Sequence, residues 1–134
     1  MPLADFAKES LDARLGDVLQ LVPEARRPEK SEAQHRMRIA VKHYRYRLEI
    51  LSALIGSGYQ QLHAAVKGYQ EVLGKMHDLD VFAGICRSAA FCPPAADLVP
   101  AAIAAKRERL FAEFASMLEV SPFEQIGAQV RGAL

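Results

Sequence analysis

Apolar residues recur every three or four positions along most of the chain, which is the period of an α-helix packed on one face. Pro and Gly residues interrupt this pattern near residues 23–30, 56–58 and 90–94. The pattern predicts four long helices, over 3–22, 32–55, 59–87 and 95–118, and a short helical turn beginning at 121. We therefore expect an all-α fold, an antiparallel four-helix bundle that forms a single domain over residues 1–134.

The second predicted helix carries the most distinctive pattern. Ser31 is suited to an N-cap, and Gln34 stands where a capping box places Glu or Gln. At ~100° per residue, one arc of this helix is apolar; it holds Met37, Val41, Tyr44, Leu48, Leu51 and Ile55. The neighbouring arc holds His35, Arg38, Lys42, Arg45 and Glu49. The first four of these are termed the basic stripe below.

Charge is concentrated in this segment. Residues 31–49 hold five of the 17 Lys and Arg and two of the 16 Asp and Glu, which gives +3 here. The whole chain carries +1, so the remaining residues sum to −2. A chain of nearly neutral net charge does not indicate nonspecific nucleic-acid binding, and a local cluster of cations indicates a placed anion site instead.

Two motifs in this region carry a family resemblance. The first, His35-x-x-Arg38-x-x-x-Lys42-x-x-Arg45-Tyr46-x-x-Glu49, resembles the signature helix of CHAD domains, the conserved-histidine α-helical domains. The second, Leu73-Gly74-Lys-Met-His77-Asp78-Leu79-Asp80-Val81, resembles that family's Leu-Gly-x-x-x-Asp-Leu-Asp-Val motif. The resemblance covers residues 31–88 well and the flanks by helical character. His43 and Tyr44 depart from it, since an Arg and an aliphatic residue are common there.

The resemblance implies a helical domain that binds inorganic polyphosphate through a basic surface. The polyphosphate-binding residues expected here are His35, Arg38, Lys42 and Arg45, with a second wall of Lys106, Arg107 and Arg109. Asp78, Glu49 and His77 are expected to orient these cations, with Asp78 pairing Arg38 or Arg45. Arg26 and Arg27 are either solvated loop residues or an extension of the site. The family's usual domain has two four-helix halves and this chain has length for one, so we expect a homodimer.

Other function classes receive less support. No two of the four histidines are spaced four apart, and we expect no metal and no cofactor. Gly-x-Ser-x-Gly is absent, and the chain lacks the strands and rows of acids typical of a triphosphate-hydrolysing domain, so we expect no enzyme. The alternatives are an interaction bundle that docks an acidic partner and an accessory domain of a polyphosphate-processing enzyme. We expect no specific nucleic acid as a partner.

Location and cysteine chemistry follow from simple patterns. No apolar run is long enough for a membrane span, and the first residues lack the apolar core of a secretory signal, so we expect a cytoplasmic protein that does not bind membranes. Cys86 is expected to be a small buried residue at a helix end, and Cys92 a loop thiol. Gly68, Gly74 and Gly84 lie inside the third predicted helix, which indicates close helix–helix approach there.

Overall fold

A computed structural model of the chain describes residues 2–89 and 95–134. The helices are α1 Pro2–Leu19, α2 Val22–Ala25, α3 Ser31–Ile50, α4 Ser52–Ile55, a 3-10 turn Gly56–Gly58, α5 Tyr59–Ser88, α6 Ala95–Val120 and α7 Phe123–Ala133. The described residues contain no strand, so the predicted all-α class is confirmed.

The helix boundaries differ from the predicted ones in three places. The first break contains the single turn α2, and the second predicted helix is divided at Leu51 into α3 and α4. The predicted short C-terminal turn is an 11-residue helix, α7, whose buried residues complete the core. The third predicted break, 90–94, lies outside the described residues, and Cys92 lies there with it.

The predicted N-caps are wrong. Ser31 is the first residue of α3 and Lys30 is its N-cap, without a side-chain hydrogen bond. Pro122 is the N-cap of α7, so this helix begins two residues after position 121, where the sequence predicts its start. Gln34 forms no capping box because its side chain is buried, only 2% exposed, and its Nε2 donates to Ala25 O and Arg27 O. A buried amide with two carbonyl partners is better satisfied there than at an exposed cap.

The core surrounds α5, which packs against α3, α6 and α7. The Tyr69 hydroxyl of α5 lies 2.9 Å from Met117 O and 2.6 Å from Ser121 O, so its single hydrogen is shared between two carbonyls at and just beyond the end of α6. Burial raises the pKa of Tyr69 to about 12. The largest fully buried side chains are Tyr44, Tyr69, Phe114, Phe123, Met37, Leu48, Leu73 and Met76.

Close approach at glycine occurs where α1 meets α7. A Cβ added to the buried Gly127 of α7 would overlap the Leu15 side chain of α1. The three predicted glycines of α5 are less crowded, since the same atom at Gly68 or Gly74 would make ordinary van der Waals contact. At Gly74 the neighbour is the Arg38 guanidinium, with Nε 3.5 Å from the added Cβ. Gly74 therefore gives Arg38 room to lie across α5.

Candidate functional site

The basic stripe of α3 lies along the seam between α3 and α5. His35 stacks on His77, Arg38 lies over Gly74, and the Glu49 carboxylate contacts His63 at 2.8 Å. Each step forward along α3 is matched by an equal step back along α5, so the two helices are antiparallel in one register. The same register sets Lys42 opposite Gln70. The motif residues of the two helices thus form one continuous surface.

Arg38 and Lys42 are half-buried cations without an acidic partner. Eight of the eleven arginines donate to a side chain or pair with an acid among the described residues, and Arg38 is not one of them. Lys42, one turn further along the stripe, likewise forms no salt bridge or side-chain hydrogen bond within that part of the chain. Both cations therefore keep their hydrogen-bond donors available to a ligand.

At the C-terminal end of the basic stripe, the Glu49 carboxylate contacts the side chains of His63 and Arg45. Glu49 Oε2 lies 2.8 Å from His63 Nε2 and 3.7 Å from Arg45 Nε, and the Arg45 guanidinium carbon lies 5.2 Å from the centre of the Tyr46 ring. Arg45 Nε is buried and has no hydrogen-bond partner among the described residues. Glu49 and Tyr46 thus hold the Arg45 side chain while leaving a donor unsatisfied.

The near end of the stripe is a stacked histidine pair. The rings of His35 and His77 are almost parallel, at 12°, with centroids 3.7 Å apart. The buried His35 Nδ1 has no hydrogen-bond partner within residues 2–89 and 95–134. Burial lowers the pKa of His35, and the nearby His77 and Arg38 lower it further, while Asp80 acts in the opposite direction. His35, His77 and Asp80 line a shallow surface depression of about 280 Å³ with Ser31, Glu32 and Val81. An anion placed there would favour the protonated form of His35.

Arg107 faces inward. Its Nε and Nη2 donate to Asp80 Oδ1 and Oδ2 at 2.9 and 3.0 Å, and Nη2 also donates to Gln34 Oε1 at 2.6 Å. Because Gln34 also binds the two carbonyls that precede α3, this network ties α6 to α5 and to the start of α3. The Arg107 side chain is only 15% exposed. These contacts give Arg107 a structural role within the fold.

The remaining predicted site residues are dispersed. Lys106 and Arg109, which precede and follow the inward Arg107 in sequence, are exposed on α6. Asp78 is exposed, and among the described residues it pairs with neither Arg38 nor Arg45. Arg26 and Arg27 pair with Glu119 and Glu29.

Sequence reasoning missed Gln34 and Asp80. The sequence pattern predicts a capping role for Gln34 and a pairing role for Asp78, and it assigns no role to Asp80. One signal was available, since Asp80 follows His77 by three residues and so shares its face of α5. Cys86 is buried near the end of α5, as expected.

A family model described as CHAD domain matches residues 1–87 of the chain. The chain belongs to the CHAD domain family. It matches no curated protein and no solved structure.

The family match contains the whole of the basic stripe and its facing residues on α5. α6 and α7, which supply Arg107, Phe114 and Phe123, lie beyond it. Among residues 2–89 and 95–134, none of the CHAD protein's helices combines the length and the apolar character that crossing a bilayer requires. Within the described residues, the α3–α5 seam is where cations without acidic partners lie in line.

Proposed function

We propose that this CHAD domain binds inorganic polyphosphate along the basic stripe, with His35, Arg38, Lys42 and Arg45 as its contacts. The observation that carries the proposal is the pair Arg38 and Lys42, two aligned cations that no acid neutralises among the described residues. From His35 to Arg45 the stripe runs for roughly 15 Å at 1.5 Å per residue. That length suits an extended polyanion that spans several phosphate units.

The chemistry of each position supports a phosphate ligand. Guanidinium groups donate two hydrogen bonds to phosphate oxygens, while the ammonium of Lys42 supplies a point charge. Arg38 is positioned by Gly74, and Arg45 by Glu49 and Tyr46. Arg107 is not among the proposed contacts because Asp80 and Gln34 occupy its donors. Lys106 and Arg109 remain as an outer wall that adds long-range attraction.

We propose binding rather than catalysis, and a homodimer as the working form. Polyphosphate release or breakdown would then fall to another protein, with this chain as an accessory domain. The competing function is a helical bundle that docks an acidic protein on the same stripe. A flexible polyanion requires only the cations of the basic stripe for binding. An acidic protein must in addition be complementary to the apolar surface beside the stripe.

The proposal is tested by comparing two double variants. Arg38→Ala with Lys42→Ala removes the two cations without acidic partners, whereas Arg36→Ala with Lys8→Ala removes the same charge from elsewhere, Arg36 being paired with Glu32. Each lost charge-assisted contact contributes about 1.5–3 kcal/mol, so the first variant should bind long-chain polyphosphate at least about tenfold more weakly. The second should change the Kd less than threefold, roughly the limit of a screened surface effect.

Titrations with polyphosphate, duplex DNA and ATP at several salt concentrations distinguish the alternatives. Polyphosphate should bind best, and its affinity should fall steeply with salt because binding releases condensed counterions, as it does when proteins bind nucleic-acid backbones. Equal losses in the two double variants would mean that only net charge matters, and would refute the site. Failure of all three anions to bind would favour the acidic protein partner.

A further inference from the structure

The exposed apolar residues of this chain are unevenly distributed. Six of the eleven large apolar side chains that are exposed among the described residues belong to α1, α3 and α4. They are Leu3, Phe6, Ile39, Tyr46, Ile50 and Leu54, termed the outer patch below. A grouping of this kind typically marks a surface that another molecule covers.

Packing of α1 on α3 brings the outer-patch residues of α1 next to the end of α3. Arg47 Nη1 donates to Ser10 Oγ at 2.6 Å, and α2 connects the end of α1 to the start of α3. The two helices are therefore antiparallel, so the first turns of α1, with Leu3 and Phe6, lie beside the last turns of α3. Ile50, which is 76% exposed, stands at that same end.

The outer patch borders the basic stripe on α3. At ~100° per residue, Tyr46 follows His35 and Lys42 around the helix, on the side away from the core. Ile39, His43, Tyr46 and Ile50 are spaced by four, three and four residues, which is the a/d spacing of a helix that packs against a second helix. This spacing favours a helical partner over a small molecule or an irregular peptide.

The row is complementary to a second copy of itself. If two α3 helices pair antiparallel about a point between His43 and Tyr46, Ile39 meets Ile50 of the other copy and His43 meets its Tyr46. Apolar residues then face apolar residues, and an imidazole faces a phenol ring, as His43 and Tyr46 already do within one chain. A two-fold dimer requires such self-complementarity, and a partner of different sequence does not.

Symmetry then decides where the two basic stripes lie. In an antiparallel pair the two-fold axis is normal to the plane that contains both helix axes. Rotation about this axis exchanges the two helices but keeps each face of the pair on the same side. The two basic stripes therefore lie on the same face of the dimer. Lys42 and Arg45 of both copies would lie on either side of the joined rows and repel each other. A bound polyanion removes that repulsion.

We propose that two copies of this chain pair through the outer patch, with their α3 helices antiparallel, and that polyphosphate bound across both basic stripes strengthens the dimer. The ligand in this proposal rests on the proposed function. The dimer contact through the outer patch does not depend on that ligand. Because the coupling is reciprocal, dimerisation also tightens polyphosphate binding.

The first test measures mass by sedimentation at micromolar concentration, with and without long-chain polyphosphate. We expect a dimer whose dissociation constant falls at least about fivefold when polyphosphate is added. Ile50→Lys should give a monomer. Val120→Lys is the matched control, because Val120 also ends a helix, is 80% exposed and lies outside the patch. A dimer that survives Ile50→Lys would overturn the proposal.

The second test measures orientation by oxidative crosslinking in a Cys86→Ala, Cys92→Ala background, with circular dichroism confirming the fold. Chains with Ile39→Cys should crosslink to chains with Ile50→Cys, and neither should crosslink efficiently to itself. Efficient self-crosslinking of each would indicate a parallel pair and refute the arrangement. A wild-type monomer that still binds polyphosphate would overturn the dimer alone and assign the patch to another partner. Loss of polyphosphate binding with an intact dimer would overturn only the ligand.

Discussion

Arg107 on α6 donates hydrogen bonds to both carboxylate oxygens of Asp80 on α5, at 2.9 and 3.0 Å. The same guanidinium also donates to the amide oxygen of Gln34 on α3. The two neighbouring cations of α6, Lys106 and Arg109, are exposed instead. One run of basic residues thus contains one structural arginine and two surface cations.

Removing the inward arginine should destabilise the fold. Arg107→Ala leaves Asp80 and the Gln34 amide oxygen partly buried and unpaired, so we expect a loss of about 1.5–3 kcal/mol in the free energy of unfolding. Lys106→Ala, on the next residue, should change it by no more than about 0.5 kcal/mol. Urea denaturation followed by circular dichroism measures both. Equal, small effects would contradict the structural role of Arg107.

Acid should destabilise the protein through His35. Its pKa is lowered in the folded state by burial and by its cationic neighbours, so the unfolded chain binds that proton more readily. Stability should therefore be independent of this group well above the unfolded pKa of about 6.5, and fall as pH decreases below it. Unfolding measured from pH 7.5 to 5.5 should show a steeper loss for wild type than for His35→Gln. Parallel curves would contradict the prediction.

Polyphosphate binding should take up protons. An anion next to His35 favours its imidazolium form, which reverses the lowering of its pKa. Affinity should then increase as pH falls from about 7.5 to 5.5, a range set by the ordinary histidine pKa of about 6.5. Calorimetry in buffers of different ionisation enthalpy counts the protons. If the His35→Gln variant took up a similar number of protons on binding, the proton uptake would belong to a different group.

Two glycine substitutions should have opposite effects. Gly74→Ala adds a Cβ that fits beside Arg38, so the usual helix gain of about 1 kcal/mol over Gly should appear as added stability. Gly127→Ala offers the same gain in α7 but overlaps Leu15, and overpacking costs about 1–3 kcal/mol. Thermal unfolding of the two variants should shift Tm upward and downward respectively. A rise in Tm for both variants would show that the Leu15 side chain moves aside for the added methyl group without a loss of stability.

Gly74 also allows a test of the site without removing a charge. A larger residue, as in Gly74→Leu, would fill the space in which the Arg38 guanidinium lies. We expect this variant to fold and to lose polyphosphate affinity, whereas Gly74→Ala keeps it. Gly68→Leu, which is next to Met117 rather than a cation, is the control for a bulky residue on the same helix. Binding that is unchanged in Gly74→Leu would remove Arg38 from the proposed contacts.

Helical period and glycine or proline breaks were sufficient to predict the all-α class and the long helices, because each helix has one apolar face. The alignment of His35, Arg38, Lys42 and Arg45 along one side of α3 was predictable for the same reason. The partner of Arg107 was not, because Asp80 and Gln34 are far from it in sequence and their pairing depends on how α6 packs. α7 was underestimated because Gly127 and Gly132 weaken the helix signal, while burial of Phe123 and Ile126 stabilises it.

The Tyr69 hydroxyl and the Asp80 carboxylate belong to the segment that the family model matches, yet both are satisfied by α6, which lies beyond it. A fragment that stops at residue 87 would keep the whole basic stripe and lose the groups that hold its supporting helix. It would also expose the face of α5 that covers Phe114 and Leu118. We therefore expect the smallest folding unit of this chain to extend beyond the segment that the family model matches, into α6.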